Sequence, residues 1–355
     1  MQFVMAGGGT GGHVIPALAV AGELKRRGHT PVFFGTRTGY EARLVPAAGF
    51  AIEFIDIGGL NRVGLAQILR TMWLLPASTL RCWMWMGKHR PGAVFSMGGY
   101  VAGPVVIAAL LRGIPLVAME PNAVPGLTNR KAARWTAAAL INFEETSRYF
   151  PEGRSVLAGV PVRQAFFDRA PARQEAGRPF TVLITGGSQG SRTLNHAGRD
   201  SWPLFEKAGV PVSILHQAGR NNVSSLGSAP RFVQLTEFIQ DMPSAFAEAD
   251  LIVSRAGAST VSELAAAGKP AVLVPFPFAA DDHQRRNAEA MVRAGAARMV
   301  DDKEMNGKRL FDEVWRLMQS PAELGGMAEA ARRMAKPGAA ARAADVLEKV
   351  ATKSH

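Results

Sequence analysis

One cysteine, Cys82, stands among 355 residues. It excludes an internal disulfide framework and a cysteine-rich zinc site, and it fits a reducing compartment. Long apolar runs are also missing. The longest uncharged stretch, residues 91–111, is cut by Gly92, Gly98, Gly99, Gly103 and Pro104. A membrane span needs about 20 apolar residues in one helix, so a soluble or peripheral protein is expected. The first residues, Met1-Gln2-Phe3-Val4-Met5-Ala6, have no basic leader and do not read as a secretory signal. The seven histidines show no HxH or HExxH spacing, and Asp281-Asp282-His283 reads as a solvated turn. No metal and no cofactor are expected. Acids are absent from residues 57–119 altogether. What is present is a globular composition. Apolar residues make up 47% and charged residues 20%, with a mean hydropathy of +0.03. That supports sizeable cores and excludes a mostly disordered chain. The net charge of +12 favours an anionic partner. No basic repeat or RNA-binding motif points to nucleic acid.

Short β-branched or aromatic runs alternate with longer Ala/Leu/Arg segments. The runs are Phe3–Met5, Val32–Phe34, Val94–Phe95, Leu116–Ala118, Thr181–Ile184, Leu251–Val253 and Ala271–Val274. This alternation predicts an α/β fold with parallel sheets. The two halves open alike, each with a strand, a glycine loop and a helix: Phe3 to His13 and Val182 to Gly190. Two Rossmann-like domains follow, 1–159 and 160–337, with Pro151 and Pro161 near the break. The stretch 338–355 reads as a helix returning to the first domain.

Four glycine clusters lie where ligands of open α/β sheets sit, just after strands. Gly7-x-Gly9-x-x-Gly12 formally matches a dinucleotide fingerprint, in which backbone N–H groups and a helix start take up phosphate. The acid expected about 20 residues later is missing. Arg37 stands there instead and leaves an NADP-dependent oxidoreductase as an alternative. The other clusters are Gly98-Gly99-Tyr100, Gly186-Gly187-Ser188-Gln189-Gly190, and Gly257 to Glu263. In the last, Thr260-x-x-Glu263 has the spacing of a capping box. Glu263 is therefore either a helix cap or an acceptor for ribose hydroxyls.

Taken in order, these motifs are specific. Gly9-Thr10-Gly11-Gly12-His13-x-x-Pro16, Gly98-Gly99-Tyr100, Gly126-Leu127-Thr128-Asn129, Gly186 to Gly190, and Ser262-Glu263-x-x-Ala266-Ala267-Gly268-x-Pro270 make the chain resemble the MurG family of glycosyltransferases (family 28). The resemblance covers nearly the whole chain. It implies a GT-B fold, two Rossmann-like parallel-sheet domains facing a cleft. It also implies an inverting hexosyltransferase of peptidoglycan synthesis. The enzyme would move N-acetylglucosamine from UDP-N-acetylglucosamine to the 4-hydroxyl of undecaprenyl-diphosphate-linked muramyl-pentapeptide. Another GT-B transferase acting on a lipid-linked acceptor is the nearest alternative. By the same resemblance, Thr10, Gly11 and Gly12 lie at the cleft and Ser188 reaches the donor diphosphate. Ile239 offers backbone groups to uracil. Ala258, Ser259, Thr260, Val261, Ser262 and Glu263 hold phosphates and ribose, and Gln284 holds sugar hydroxyls. Asn122 and Arg163 match donor-binding positions. The chain departs from the family pattern with Met119-Glu120-Pro121-Asn122 in place of His-Glu-Gln-Asn. It departs again with Gly159-Val160-Pro161-Val162-Arg163 in place of Gly-Asn-Pro-Val-Arg.

Two groups are candidate general bases. His13 stands at a helix start, where the positive dipole end favours a neutral imidazole, and it serves either as base or as a hydrogen-bonding group that fixes the shape of the glycine loop. Glu120 ends a strand and serves either as base or as a mere salt bridge or cap. Around the acid-free stretch, Arg62, Arg70, Arg81, Lys88, Arg90 and Arg112 interleave with Ile68, Leu69, Met72, Trp73, Leu74, Leu75, Leu80, Trp83, Met84, Trp85 and Met86. That mixture predicts contact with an anionic membrane surface, the alternative being a buried helix pair whose arginines snorkel to water; the resemblance implies a protein peripheral on the cytoplasmic face of the cell membrane.

Overall fold

The computed structural model describes residues 1–9, 11–58, 65–168 and 177–353, and for residues 65–72 the backbone alone. Thr10, Arg62 and the side chains of Ile68, Leu69, Arg70 and Met72 lie outside the described residues. The chain divides into two compact units, Met1–Pro161 with Gly338–His355, and Val162–Pro337.

In chain order the first unit contains β1 (Gln2–Ala6), α1 (Gly11–Arg26), β2 (Thr30–Gly35), α2 (Glu41–Ala47), β3 (Ala51–Phe54) and α3 (Leu65–His89). It continues with β4 (Ala93–Ser96), α4 (Gly99–Leu111), β5 (Leu116–Glu120), α5 (Leu127–Ala132), β6 (Ala138–Ile141) and β7 (Ser155–Leu157). The seven strands are all parallel, in the order β3-β2-β1-β4-β5-β6-β7. Helices on both faces leave β1 with no solvent side, which is why it reads as an unbroken apolar run. Phe3 and Met5 join one core with Val14, Ala17 and Leu24 of α1; Val4 and Ala6 join another with Val101 and Val105 of α4.

The second unit begins with α6 (Ala165–Asp168), β8 (Phe180–Thr185), α7 (Arg192–Ala208), β9 (Val212–Gln217), β10 (Val233–Thr236), α8 (Met242–Glu248) and β11 (Leu251–Ser254). It then runs through α9 (Ala258–Ala267), β12 (Ala271–Leu273), α10 (His283–Arg293), β13 (Ala297–Met299), α11 (Gly307–Met318) and α12 (Pro321–Met334). Its six parallel strands take the order β10-β9-β8-β11-β12-β13. The final helix, α13 (Ala339–Thr352), belongs to the first unit. Ala343, Ala344, Leu347 and Ala351 form one stripe, and all are buried in the α1 core. Small side chains let α13 lie close against α1. Arg27 adds ion pairs to Asp345 (2.6 Å) and Glu348 (2.8 Å), and His29 Nε2 stands 2.7 Å from Glu348. Exposed pairs of this kind contribute about 0–1 kcal/mol each, so apolar packing dominates.

Among the described residues no helix is long and apolar enough to cross a membrane. α3 instead shows one outward stripe. Trp73, 83% exposed, is followed at helical spacing by exposed Leu80, Met84 and Lys88, with Arg81 beside them. Trp85 departs from the sequence reading of this face. It stacks on His89 (4.2 Å between centroids) and meets Phe34 edge-on, so it packs on the core. Cys82 and Met86 lie on the buried side of α3, as its helical period requires.

Candidate functional site

In each sheet the chain reverses direction of build at one point: between β1 and β4 in the first unit, and between β8 and β11 in the second. Crevices beyond the carboxyl ends of strands at such points are the usual ligand sites of this architecture. In the first unit the loop after β1 passes through Gly9 at φ +85, and a Cβ there would stand 2.7 Å from the Tyr100 ring. Only glycine fits both demands. Gly11 and Gly12 then open α1, whose first turn carries no acid. His13 follows, half-buried. A Cβ on Gly99 would lie 3.3 Å from its Nδ1 and Cε1, so the imidazole packs on the glycine turn that starts α4.

Glu41, from the first turn of α2, was not singled out by the sequence reading. Its fully buried carboxylate accepts the Gly9 N–H (2.8 Å), the Thr36 N–H (2.9 Å) and the Thr36 hydroxyl (2.8 Å). An amide that a dinucleotide phosphate would use is therefore already bound to the protein's own anion. Arg37 lies over the Phe54 ring at 4.7 Å. The described residues of this loop do not offer the diphosphate cradle that the NADP alternative requires.

Glu120, at the end of β5, is 2% exposed, and both its oxygens are engaged. Oε1 accepts from the Asn122 N–H (3.0 Å) and Nδ2 (3.1 Å), and Oε2 from the Gly126 N–H (3.2 Å) and Asn129 Nδ2 (3.0 Å). Burial pushes its pKa up to about 7, and the N–H donors from Asn122, Asn129 and Gly126 pull against that. The same Asn129 amide reaches the Met119 carbonyl (2.9 Å), and its Oδ1 stands 3.4 Å from the Ser96 hydroxyl, which accepts the Gly98 N–H at 3.1 Å. Glu120 thus anchors the loop leading into α5, and through Asn129 and Ser96 it supports the glycine turn beside His13. Asn122 lies in this first-unit network.

The second unit supplies a different set. The Gly186–Gly190 loop leads into α7, whose start is capped by Ser191 Oγ accepting the Leu194 N–H (3.3 Å). Gly190 has φ +75, and a Cβ there would stand 1.9 Å from the Ala218 carbonyl. Ser188 is exposed on this loop. Ile239 is tied to the loop indirectly. Its N–H donates to Gln217 Oε1 (2.9 Å), while Gln217 Nε2 donates to the Gly187 carbonyl (3.0 Å). The sequence expectation gave Ile239 two backbone groups for a ligand; with the N–H taken by Gln217, its carbonyl is the group left to serve one.

α9 begins at Gly257, an extended residue with φ −64 and ψ 148, and no side chain caps it. The N-cap lies three residues before Thr260, so of the two readings of Glu263 the Thr260/Glu263 capping box does not form: glycine at 257 lets the first turn begin earlier. Ala258, Ser259 and Thr260 occupy that turn, where backbone N–H groups have no partner within the helix. No acid stands there to offset the positive dipole end. Val261 and Ser262 are corrections of another kind. Both side chains turn inward, and the Ser262 hydroxyl donates to the Ala258 carbonyl (2.8 Å). Glu263 sits one turn deeper, with desolvation pushing its pKa up to about 7 against the pull of the nearby Arg163 guanidinium. Arg163 also lies over the Phe166 ring at 5.1 Å. Gln284, on α10, accepts the Ala256 N–H (3.2 Å) and the Phe276 N–H (3.0 Å) on Oε1. That fixes its amide and leaves Nε2 as the end to meet a ligand. Arg255 braces the same edge through the carbonyls of Val274 (3.1 Å) and Pro275 (3.2 Å) and an ion pair with Asp302. These sites match an anionic, hydroxyl-bearing ligand held by helix ends and backbone donors, with a carboxylate alongside.

Comparison with known proteins is consistent along the chain. Residues 3–141 match the glycosyltransferase family 28 N-terminal domain, and residues 181–346 match the family 28 C-terminal domain. A UDP-N-acetylglucosamine–N-acetylmuramyl-(pentapeptide) pyrophosphoryl-undecaprenol N-acetylglucosamine transferase from Solibacter usitatus is 58% identical, over 99% of this chain and 96% of its own length. The protein of the same description from Myxococcus xanthus is 39% identical, over 98% and 92%. The crystal structure of Acinetobacter baumannii MurG superposes with a TM-score of 0.83 at 35% identity, covering 98% of this chain and 99% of that one.

Proposed function

Since the chain belongs to glycosyltransferase family 28, we propose that it transfers N-acetylglucosamine from UDP-N-acetylglucosamine to lipid-linked muramyl-pentapeptide, making the disaccharide precursor of peptidoglycan. Its two parallel-sheet units are those of the GT-B fold. The observation that carries the donor assignment is the uncapped, acid-free start of α9 at the second switch point, one turn above Glu263. A helix N-terminus holds the diphosphate. As the glycosidic bond breaks, negative charge grows on UDP, and preorganised N–H donors stabilise it without reorganising. Glu263 accepts ribose hydroxyls, Ile239 meets uracil through its carbonyl, Ser188 reaches the diphosphate, and Gln284 holds sugar hydroxyls.

The acceptor belongs on the first unit. There His13 removes the proton from the muramyl 4-hydroxyl, the oxygen attacks the anomeric carbon, and configuration inverts as UDP leaves. His13 suits the base role because it is half-exposed on a turn held from behind by Glu41 and Glu120. Glu120 suits a positioning role, since both its oxygens are occupied. The deciding experiment offers radiolabelled UDP-N-acetylglucosamine with a lipid-linked muramyl acceptor, beside NADPH oxidation as a control. Label that stays out of the lipid fraction would refute the assignment.

A lipid-linked acceptor requires the first unit to approach a bilayer, which supports the reading of a protein peripheral on the cytoplasmic face of the cell membrane. The α3 stripe of Trp73, Leu80 and Met84, flanked by Arg81 and Lys88, fits an anionic interface. Vesicle binding should rise with anionic lipid and fall with salt, as the Debye length shrinks from ~10 Å at 0.1 M to ~3 Å at 1 M. Reversing Arg81 and Lys88 to Glu should weaken binding about fivefold or more per residue, since each basic side chain near anionic lipid contributes about 1 kcal/mol. Turnover of a short-chain soluble acceptor should be spared. Co-sedimentation decides the point: a double variant that pellets like the parent moves the contact to another face.

A further inference from the structure

The geometry points to Gln217 as a positioning residue that holds the base-recognition turn and the diphosphate loop of the donor site at a fixed separation, and so sets nucleotide selectivity without touching the nucleotide. The inference rests on the donor-site reading above. Gln217 ends β9, which lies in the sheet between β8 and β10. The diphosphate loop follows β8 and the Phe238–Ile239 turn follows β10. A side chain at the end of the middle strand is therefore the one placed to reach both.

Gln217 is 1% exposed, and both ends of its amide are engaged. Oε1 accepts the Ile239 N–H at 2.9 Å. Nε2 lies 3.0 Å from the Gly187 carbonyl and 3.2 Å from the Thr185 hydroxyl oxygen, which itself accepts the Gly187 N–H at 3.1 Å. These partners fix which way the amide points, because the reverse orientation would set oxygen against the Gly187 carbonyl and N–H against N–H at Ile239. One consequence concerns the base. With its N–H spent on Gln217, Ile239 meets a base through its carbonyl. That carbonyl can accept the N3–H of uracil, whereas cytosine presents a lone pair at N3 and is repelled. The other consequence concerns phosphate. Gly187 has φ +82 and open space where a Cβ would stand, so its orientation depends on the bonds that Thr185, Gln217 and the Gly190 N–H (2.9 Å) make to its peptide groups, of which Gln217 alone reaches across to the Ile239 turn.

Titration of UDP, UMP and CDP into the full chain tests this. The parent should prefer UDP over both. Q217M fills the same volume with no hydrogen bonds, so both preferences should fall about tenfold, the scale of a lost buried hydrogen bond. Q217E at pH 8.5 retains the acceptor for Ile239 and loses the donors. Its UDP-over-UMP preference should fall by a similar factor while its UDP-over-CDP preference survives. That split is one a merely structural role would not produce. Variants that bind all three nucleotides with the parent's ratios, or that weaken all three equally, overturn the inference. Should Q217M fail to fold, Q217E decides it alone. A parent that does not bind UDP would instead remove the donor-site reading itself, a result distinguishable from either.

Discussion

Replacing His13 with alanine should cut turnover roughly 100- to 10,000-fold, the usual contribution of a general base, while UDP binds as it does to the parent. The second half follows from where the residue sits. His13 belongs to the first unit, on the first turn of α1 against Gly99, and the donor contacts proposed for the α9 start, Glu263, Ile239, Ser188 and Gln284 belong to the second. The first half follows from its position, since a half-exposed imidazole at a helix start can meet a hydroxyl and pass the proton to water. Glu120→Gln should behave differently. Glu120 is buried, and its oxygens hold the amides of Asn122, Asn129 and Gly126. A glutamine at that position keeps one acceptor and introduces donors facing donors. The expected result is a loss of thermal stability of about 1–3 kcal/mol with a smaller loss of turnover. Steady-state rates and thermal melts on both variants separate the roles. If H13A turns over normally and E120Q does not, the base is Glu120.

Donor binding should weaken below pH 7, and Glu263→Gln should abolish that dependence while costing about 10- to 150-fold in UDP affinity. The affinity loss corresponds to ~1.5–3 kcal/mol for hydrogen bonds to a charged acceptor. The sign of the pH effect comes from the raised carboxyl. Desolvation holds Glu263 near pKa 7 in the unliganded protein. Ribose hydroxyls bind its ionised form, so below pH 7 binding must first release a proton. Affinity then falls by up to tenfold per pH unit, and above pH 7 it levels off. Folding stability carries the opposite slope. A carboxyl whose folded pKa exceeds its unfolded value favours folding most at low pH, and that contribution is lost as pH rises toward 7. Isothermal titration with UDP-N-acetylglucosamine, whose substituted diphosphate carries no phosphate monoester ionising at about pH 6, from pH 5.5 to 8.5 measures the first effect. A flat profile for the parent protein would remove Glu263 from the ribose site.

Much of the fold was legible because its signals are local. Phe3–Met5, Val94–Phe95 and Leu251–Val253 are short β-branched or aromatic runs with a glycine turn following, and each lies inside a strand. Other strands were not readable in that way. Ala138–Ile141 (AALI) has the composition of a helix turn and becomes β6 because β5 and β7 pair with it on either side. At Trp85 a charge-and-aromatic pattern suggested an exposed ring, and the helical period of α3 turned it onto Phe34.

The sequence by itself determined the architecture, the glycine loops and the residue types of the site. Those depend on backbone freedom at single positions and on periodicity over a few residues. Tertiary structure alone decided which partner each polar group takes. Glu41 reaches back to Gly9 across 32 residues, and Gln217 binds Gly187 and Ile239 across 30 and 22. Neither has a spacing signature, because strand order in the sheet brings these partners together. Glu263 shows the same limit from the other side. Its spacing from Thr260 is that of a cap, yet a helix start three residues earlier places its carboxylate in a desolvated position beside Arg163. A carboxylate's role is set by the water and charge around it, and those depend on how distant segments pack.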